Sequence, residues 1–229
     1  MSAAADCDGM SDSALGELCE RYEQLYPGAV VDVLDDRGYE DQTLSPDIAP
    51  LRDGMTTAGV AYPVVGRPNR SVDPDENMRS ILRMLGDAPE HAVLTYQTND
   101  DRAAHLGELS VVSLKAQGAR GAVIDGGVRD VAYILEEEFP VFSRYRTPAD
   151  AVPRWEILDW GEQAVVGGVS VSAGDIVLGD HDGVVVVPEA IRESVLEEAE
   201  ELAGTENEVR EAVRSGTAPL DAYDEYGVF

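Results

Sequence analysis

The chain has 229 residues, 45 acidic and 17 basic, for a formal charge of −28. Such a surface excludes nucleic acid and anionic membrane as partners, because phosphate contacts need Lys and Arg. The length suits one large domain or two small ones and allows a full core.

The start, residues 1–12, is acidic and lacks the basic region of a signal peptide, so it reads as a flexible tail before a domain over 13–229. Cys7 and Cys19 are too few for a disulfide framework and lack metal-ligand spacing. Two free thiols and no apolar run of membrane-spanning length point to a reducing cytoplasm. Ser13–Tyr26 has helical spacing, with Leu15, Leu18 and Tyr22 on one face. Asp73-Pro74-Asp75-Glu76 is a helix start, and that helix runs to about Leu85. Ala92–Tyr96 is a short apolar strand, Asn99–Leu106 a polar loop, and Gly107–Gln117 a helix ending at Gly118.

Gly121–Asp130 reads as a buried strand around Val123-Ile124 that ends at Asp125 in a turn at Gly126-Gly127. Val131–Glu137 is the next helix. These alternations predict βαβ units. After Pro140 the pattern becomes extended: Val141-Phe142, Val169–Val171, a turn at Ser172–Asp175, then Ile176–Leu178 and Val184–Val187 around Asp180-His181-Asp182-Gly183. Pro188 opens a long helix to about Arg214, with Ile191, Val195, Leu202, Val209 and Val213 available to face a partner. The tail Asp221–Phe229 is aromatic enough to dock on a neighbouring surface.

Arg129-Asp130 is the lead for chemistry. A strand's carboxyl edge is where α/β sheets bind ligands. Arg129 would take a carboxylate or enolate oxygen through its planar fork. Asp130 would hold Mg²⁺, with waters filling most of the octahedron. The plain alternative is a helix-start acid beside a surface Arg. Gly107-Glu108-Leu109-Ser110 opens a helix whose free N–H groups can bind an anion. His91, His105 and His181 show no ligand spacing, and Asp180 and Asp182 fit an acidic turn as well as a cation site. Cleaving a carbon–carbon bond beside a keto group needs an electron sink, a lysine Schiff base or a metal. Lys115, the one lysine, falls mid-helix, so the metal is the better sink.

Ile124-Asp125-Gly126-Gly127-Val128-Arg129-Asp130 resembles the signature of the RraA-like family, which includes 4-hydroxy-4-methyl-2-oxoglutarate aldolases. The similarity continues through Phe139–Phe142, Gly167-Gly168-Val169, Gly174-Asp175 and Asp182–Pro188, with a weaker match at Val31–Asp35 and Ala58–Ala61. The resemblance implies an α/β fold of the β/β/α swivelling type, as one domain with a long C-terminal helix and tail, assembled as a homotrimer or homohexamer with sites between subunits. It implies a class II pyruvate aldolase using Mg²⁺ or Mn²⁺, with oxaloacetate decarboxylation as a side activity. By the same resemblance Arg129 binds the substrate and stabilises the enolate, and Asp130 is the direct metal ligand. Gly107, Glu108, Leu109 and Ser110 form the carboxylate loop, with Glu108 also reaching metal-bound water. Glu206 of an adjacent subunit joins the metal shell. His105-Leu106 departs from the aromatic often found before the Gly-Glu pair. The alternatives are a non-catalytic regulator of an RNA-processing enzyme and a related metal enzyme acting on a sugar acid. The acidity itself reads as halophilic adaptation rather than function, since strong salt screens self-repulsion.

Overall fold

The computed structural model describes residues 10–229. Cys7 and residues 1–9 of the expected tail lie outside the described residues. Helix α1 (Asp12–Glu23) starts at Ser11, whose hydroxyl accepts the Ala14 N–H. It buries Leu15, Leu18 and Tyr22 together with Cys19, a free thiol that burial pushes up to about 11. Helix α2 (Pro27–Asp36) follows. Its Val30, Val33 and Leu34 are buried, a one-sided pattern that Pro27 at its start helps to set.

The main sheet contains β1 (Ala49–Pro50), β2 (Thr57–Pro68), β3 (Ala92–Gln97), β4 (Ala104–Leu106), β5 (Gly121–Val128), β6 (Val141–Arg146) and β7 (Trp155–Trp160). A hairpin, β8 (Gln163–Val166) and β9 (Val169–Ser172), stands apart. Strands β10 (Ile176–Gly179) and β11 (Val184–Val187) return to the main sheet. The order is β1-β6-β5-β3-β2-β10-β11, with β4 added to β5 and β7 to β2. Strands β2, β3, β5 and β6 run parallel, so their carboxyl ends share one edge. The connecting helices are α3 (Pro74–Gly86), α4 (Glu108–Ala116) and α5 (Val131–Glu136). This is a single mixed α/β domain, as expected, and it ends in the long α6 (Arg192–Arg214) and the short α7 (Pro219–Tyr226).

Helices α3, α4 and α5 bury Met84, Leu85, Val111, Leu114 and Ile134 against Leu94, Tyr96 and Ile124. On other strands, α1, α2 and α6 bury Val30, Leu34, Val195 and Leu196 against Val60, Ile176, Leu178 and Val185. The β8–β9 hairpin caps a third cluster around Val93, Val123, Phe142 and Val177. Each such side chain contributes about 1.5–3 kcal/mol when fully buried. Exposed pairs Arg21–Glu200 and Arg37–Glu198, both 2.6 Å, add little beyond that packing.

Four expectations change. Asn99–Leu106 is not all loop: Ala104, His105 and Leu106 are buried in β4 because they pair with β5. Gly126 and Gly127 are not a turn but the last part of β5. A Cβ on Gly127 would lie 2.2 Å from Tyr145 Cε2, and one on Gly126 2.6 Å from Thr98 Oγ1, so close packing demands both glycines. Pro188 opens a 3-10 turn, Glu189–Ile191, before α6. The apolar face of α6 is largely consumed within the chain, since Val195 is fully buried and Ile191 and Leu202 pack on the same cluster. The tail folds back as α7, which buries Ala222 yet leaves Leu220, Tyr223 and Phe229 exposed.

Candidate active site

The site follows from one strand pair. Strands β4 and β5 run parallel, with Leu106 opposite Val128, and the Arg129 N–H donates to the Leu106 carbonyl at 3.0 Å. The residues just after each strand, Gly107 and Arg129-Asp130, therefore emerge side by side. The loop between β6 and β7 reaches the same place through Ala104, which bridges to Asp150. Together they line a cleft of about 330 Å³ that holds Gly107, Glu108, Leu109, Ser110, Arg129 and Asp130. All six residues expected at a site from one chain share this cleft.

Gly107 is the N-cap of α4, with φ −141°, a backbone that any residue adopts. Space is what restricts it. A Cβ there would sit 2.8 Å from Asp130 Oδ2 and 3.3 Å from Arg129 Nε. The first-turn N–H groups of α4 have no partner within the helix by geometry, so they are donors open to an anion.

Asp130 adopts the left-handed conformation, φ 57° and ψ 32°, at the N-cap of α5. Its carboxylate caps nothing in that helix, which removes the helix-capping explanation for its presence. A non-glycine residue held this way costs on the order of 1–3 kcal/mol, a strain found at functional sites. The carboxylate points toward Arg129, with Oδ2 3.4 Å from Nε. On its other edge Arg129 has Asp150 Oδ2 3.4 Å from a terminal guanidinium nitrogen. These separations are long for N–H···O bonds, so the two acids orient the guanidinium by charge while its donors stay available. All three side chains are more than one-third exposed.

Sequence reasoning missed Asp150. No motif marks it; its only signal is a position just past β6. It is well fixed: Oδ1 accepts the Val152 N–H at 3.2 Å, and its carbonyl accepts from the Arg154 guanidinium at 2.6 Å. Met78, Ile81 and Leu82 from α3, with Leu109 and Tyr133, form an apolar wall of the cleft. Of these, Leu82, Leu109 and Tyr133 are exposed by 58%, 79% and 56%.

Residues 28–186 match the model of the RraA-like family, described as Aldolase/RraA. The chain belongs to the RraA-like family. A relative in Halalkalibacterium halodurans, named "Putative 4-hydroxy-4-methyl-2-oxoglutarate aldolase", is 28% identical over 79% of this chain and 82% of its own length. A solved structure described as "novel cellulases from microbes associated with the gut ecosystem" is 36% identical, with a TM-score of 0.81, covering 87% of this chain and 88% of that one. The structure of Streptomyces coelicolor RraAS2, described as an unusual member of the RNase ES inhibitor RraA protein family, is 25% identical with a TM-score of 0.76, covering 85% of this chain and 97% of that one. The RraA-like match spans the whole cleft and stops before α6 and α7.

The other residues singled out in this RraA-like chain stand elsewhere. Asp125 does not open into the cleft: its carboxylate pairs with Arg144 at 2.5 Å and accepts the Gly167 N–H at 2.8 Å. Glu206 lines a separate cavity on α6 with Val209, Val213 and Phe229. Lys115 reaches the Glu137 carbonyl at 2.5 Å, on the surface between α4 and α5. His181 accepts the Gly54 N–H at 2.8 Å, and Asp180 accepts the Asp182 N–H at 2.8 Å, so that acidic turn is held by its own bonds. His91 packs against Gly16. His105 lies beneath the cleft, edge-on to Trp155 at 5.0 Å between ring centres. Burial pushes its imidazole down to about 4, against the pull of Asp100 only 3.3 Å away. Among the described residues no helix is long and apolar enough to cross a membrane, and no three His, Cys, Asp or Glu side chains form a metal-ligating group.

Proposed function

We propose that the chain is a divalent-metal-dependent pyruvate aldolase, cleaving a 4-hydroxy-2-oxo acid to pyruvate and a second carbonyl compound. The observation that carries this reading is Arg129 and Asp130 facing one cleft beside the open N-terminus of α4. The named relative in Halalkalibacterium halodurans supports it.

The residues fit a hard cation. A half-exposed carboxylate on Asp130, with Glu108 in the same cleft and water for the remaining positions, suits Mg²⁺ or Mn²⁺, which keep several waters and need one or two carboxylates. When bound, the ion would supply a Lewis acid for the keto oxygen. The α4 N–H groups and Arg129 hold the 2-oxo acid's carboxylate, and the Arg129 fork stabilises the negative charge that develops on the C2 oxygen as the C3–C4 bond breaks. Glu108 takes the C4 hydroxyl proton through a bridging water, and the same relay returns a proton to C3 of the pyruvate enolate. The same stabilised enolate gives oxaloacetate decarboxylation.

The exposed apolar rim of Leu82, Leu109 and Tyr133 supports a site completed by a second copy, as trimer or hexamer. In that assembly Glu206 of an adjacent copy is the candidate acid. A second reading, a regulator that binds an RNA-processing enzyme, draws on the RraAS2 description and on the same rim. A coupled pyruvate assay with oxaloacetate and hydroxy-oxo acids, with Mg²⁺ or with chelator, separates the two. Metal-dependent pyruvate release is the expected result; none across that panel overturns the aldolase reading.

A further inference from the structure

A second cavity, larger than the cleft, lies at the carboxyl edge of the parallel strands. Its volume is about 810 Å³, and its lining includes Pro68 at the end of β2, Gln97 at the end of β3, Asp125 of β5 and Arg144 of β6. An adjoining groove of about 500 Å³ continues it. Arg70, Arg102 and Arg154 border both spaces. In a chain of net charge −28, three guanidinium groups around one concavity run against the composition.

The polar groups here fall into two sets. Wall-building groups are already engaged. Asp125 holds Arg144, Gln97 accepts the Val165 N–H at 2.7 Å, and Asn99 donates to the Gly66 carbonyl at 2.8 Å. Asp100 faces His105, and Arg102 has only the exposed Asp101 at 3.4 Å. The second set is unspent cation. Among the described residues no carboxylate lies within 4 Å of Arg70 or Arg154. Arg154 uses part of its guanidinium on the Asp150 carbonyl, and Arg70 makes no side-chain hydrogen bond to a described residue.

We infer that this cavity is an anion-binding site separate from the Arg129–Asp130 cleft, taking a small molecule that carries two or more negative charges on carboxylate or phosphate groups. Three observations carry it. The place is where parallel α/β sheets bind ligands. The size suits a metabolite. The free guanidinium forks match carboxylate and phosphate oxygens. The inference does not depend on the aldolase reading.

The test is titration calorimetry on the full chain at fixed ionic strength without added metal. Succinate and inorganic pyrophosphate are the two probes, and whichever binds identifies the headgroup. Binding of at least one is expected. Affinity should fall tenfold or more in Arg70→Gln, which breaks no side-chain hydrogen bond or ion pair among the described residues, and further in Arg70→Gln/Arg154→Gln. Arg129→Gln, which removes the cation of the cleft, should bind as the parent does, which places the event outside the cleft. The inference is overturned if neither probe binds, if Arg70→Gln binds as the parent does, or if Arg129→Gln abolishes binding. It is also overturned if Arg70→Gln changes the oligomeric mass, since the arginine would then hold a second copy.

Discussion

Arg129 and Asp150, 21 residues apart in sequence, meet at 3.4 Å across the cleft, and Asp130 holds the opposite edge of the same guanidinium at 3.4 Å. The cation is thus oriented from both sides before any substrate arrives. Removing Asp150 leaves the charge and frees the orientation. Asp150→Asn should lower kcat/KM for pyruvate release by roughly 10- to 100-fold, about 1.4–2.7 kcal/mol. Asp150→Glu should recover part of it. Steady-state kinetics of both variants check this.

Gly107 offers a test of space alone, because its backbone is one that alanine also adopts. Gly107→Ala places a methyl against Asp130 Oδ2 and Arg129. Turnover should fall tenfold or more, while chemical denaturation shows a loss of about 1 kcal/mol or less, the cost of a poorer N-cap.

Asp130 pairs function with strain. Asp130→Gly relieves a left-handed backbone and should raise unfolding free energy by about 1 kcal/mol, while pyruvate release disappears. Stability that falls instead would show that the carboxylate supports the fold.

His105 predicts a pH dependence. Its folded value, about 4, lies below the ordinary 6.5 because burial disfavours the charged ring. Between those values the unfolded chain binds more protons, so this group erodes stability as pH falls from 6.5 toward 4. His105→Gln should flatten that slope, read by denaturation at pH 7, 6, 5 and 4.5.

Part of the fold was legible because local signals agreed with tertiary ones. Asp73 caps α3 by accepting two N–H groups, as its Asp-Pro start implies. β2 was not legible as a strand, since Gly59, Pro63 and Gly66 argue against one. Its partners explain the exception. β10 pairs residues 57–60 and β7 pairs 64–68, so Pro63 falls between the two antiparallel neighbours. Gly66 is required because a Cβ would lie 1.9 Å from Trp155, a residue 89 positions away in sequence. The cleft was legible where its residues are adjacent, at 107–110 and 129–130. Asp150 arrives through a loop, and Asp125 turns to Arg144, by long-range pairing that no local pattern encodes.

Lys115 separates the two possible electron sinks. It is exposed and tied to Glu137. Lys115→Gln should keep pyruvate release within about twofold of the parent, and borohydride should trap no adduct with pyruvate.

The most direct measurement compares pyruvate release by the parent chain and Asp130→Ala, with Mg²⁺ and with chelator, alongside the mass of each in solution. The account predicts metal-dependent release by the parent and none by the variant, at unchanged mass. Equal release by both proteins would contradict it.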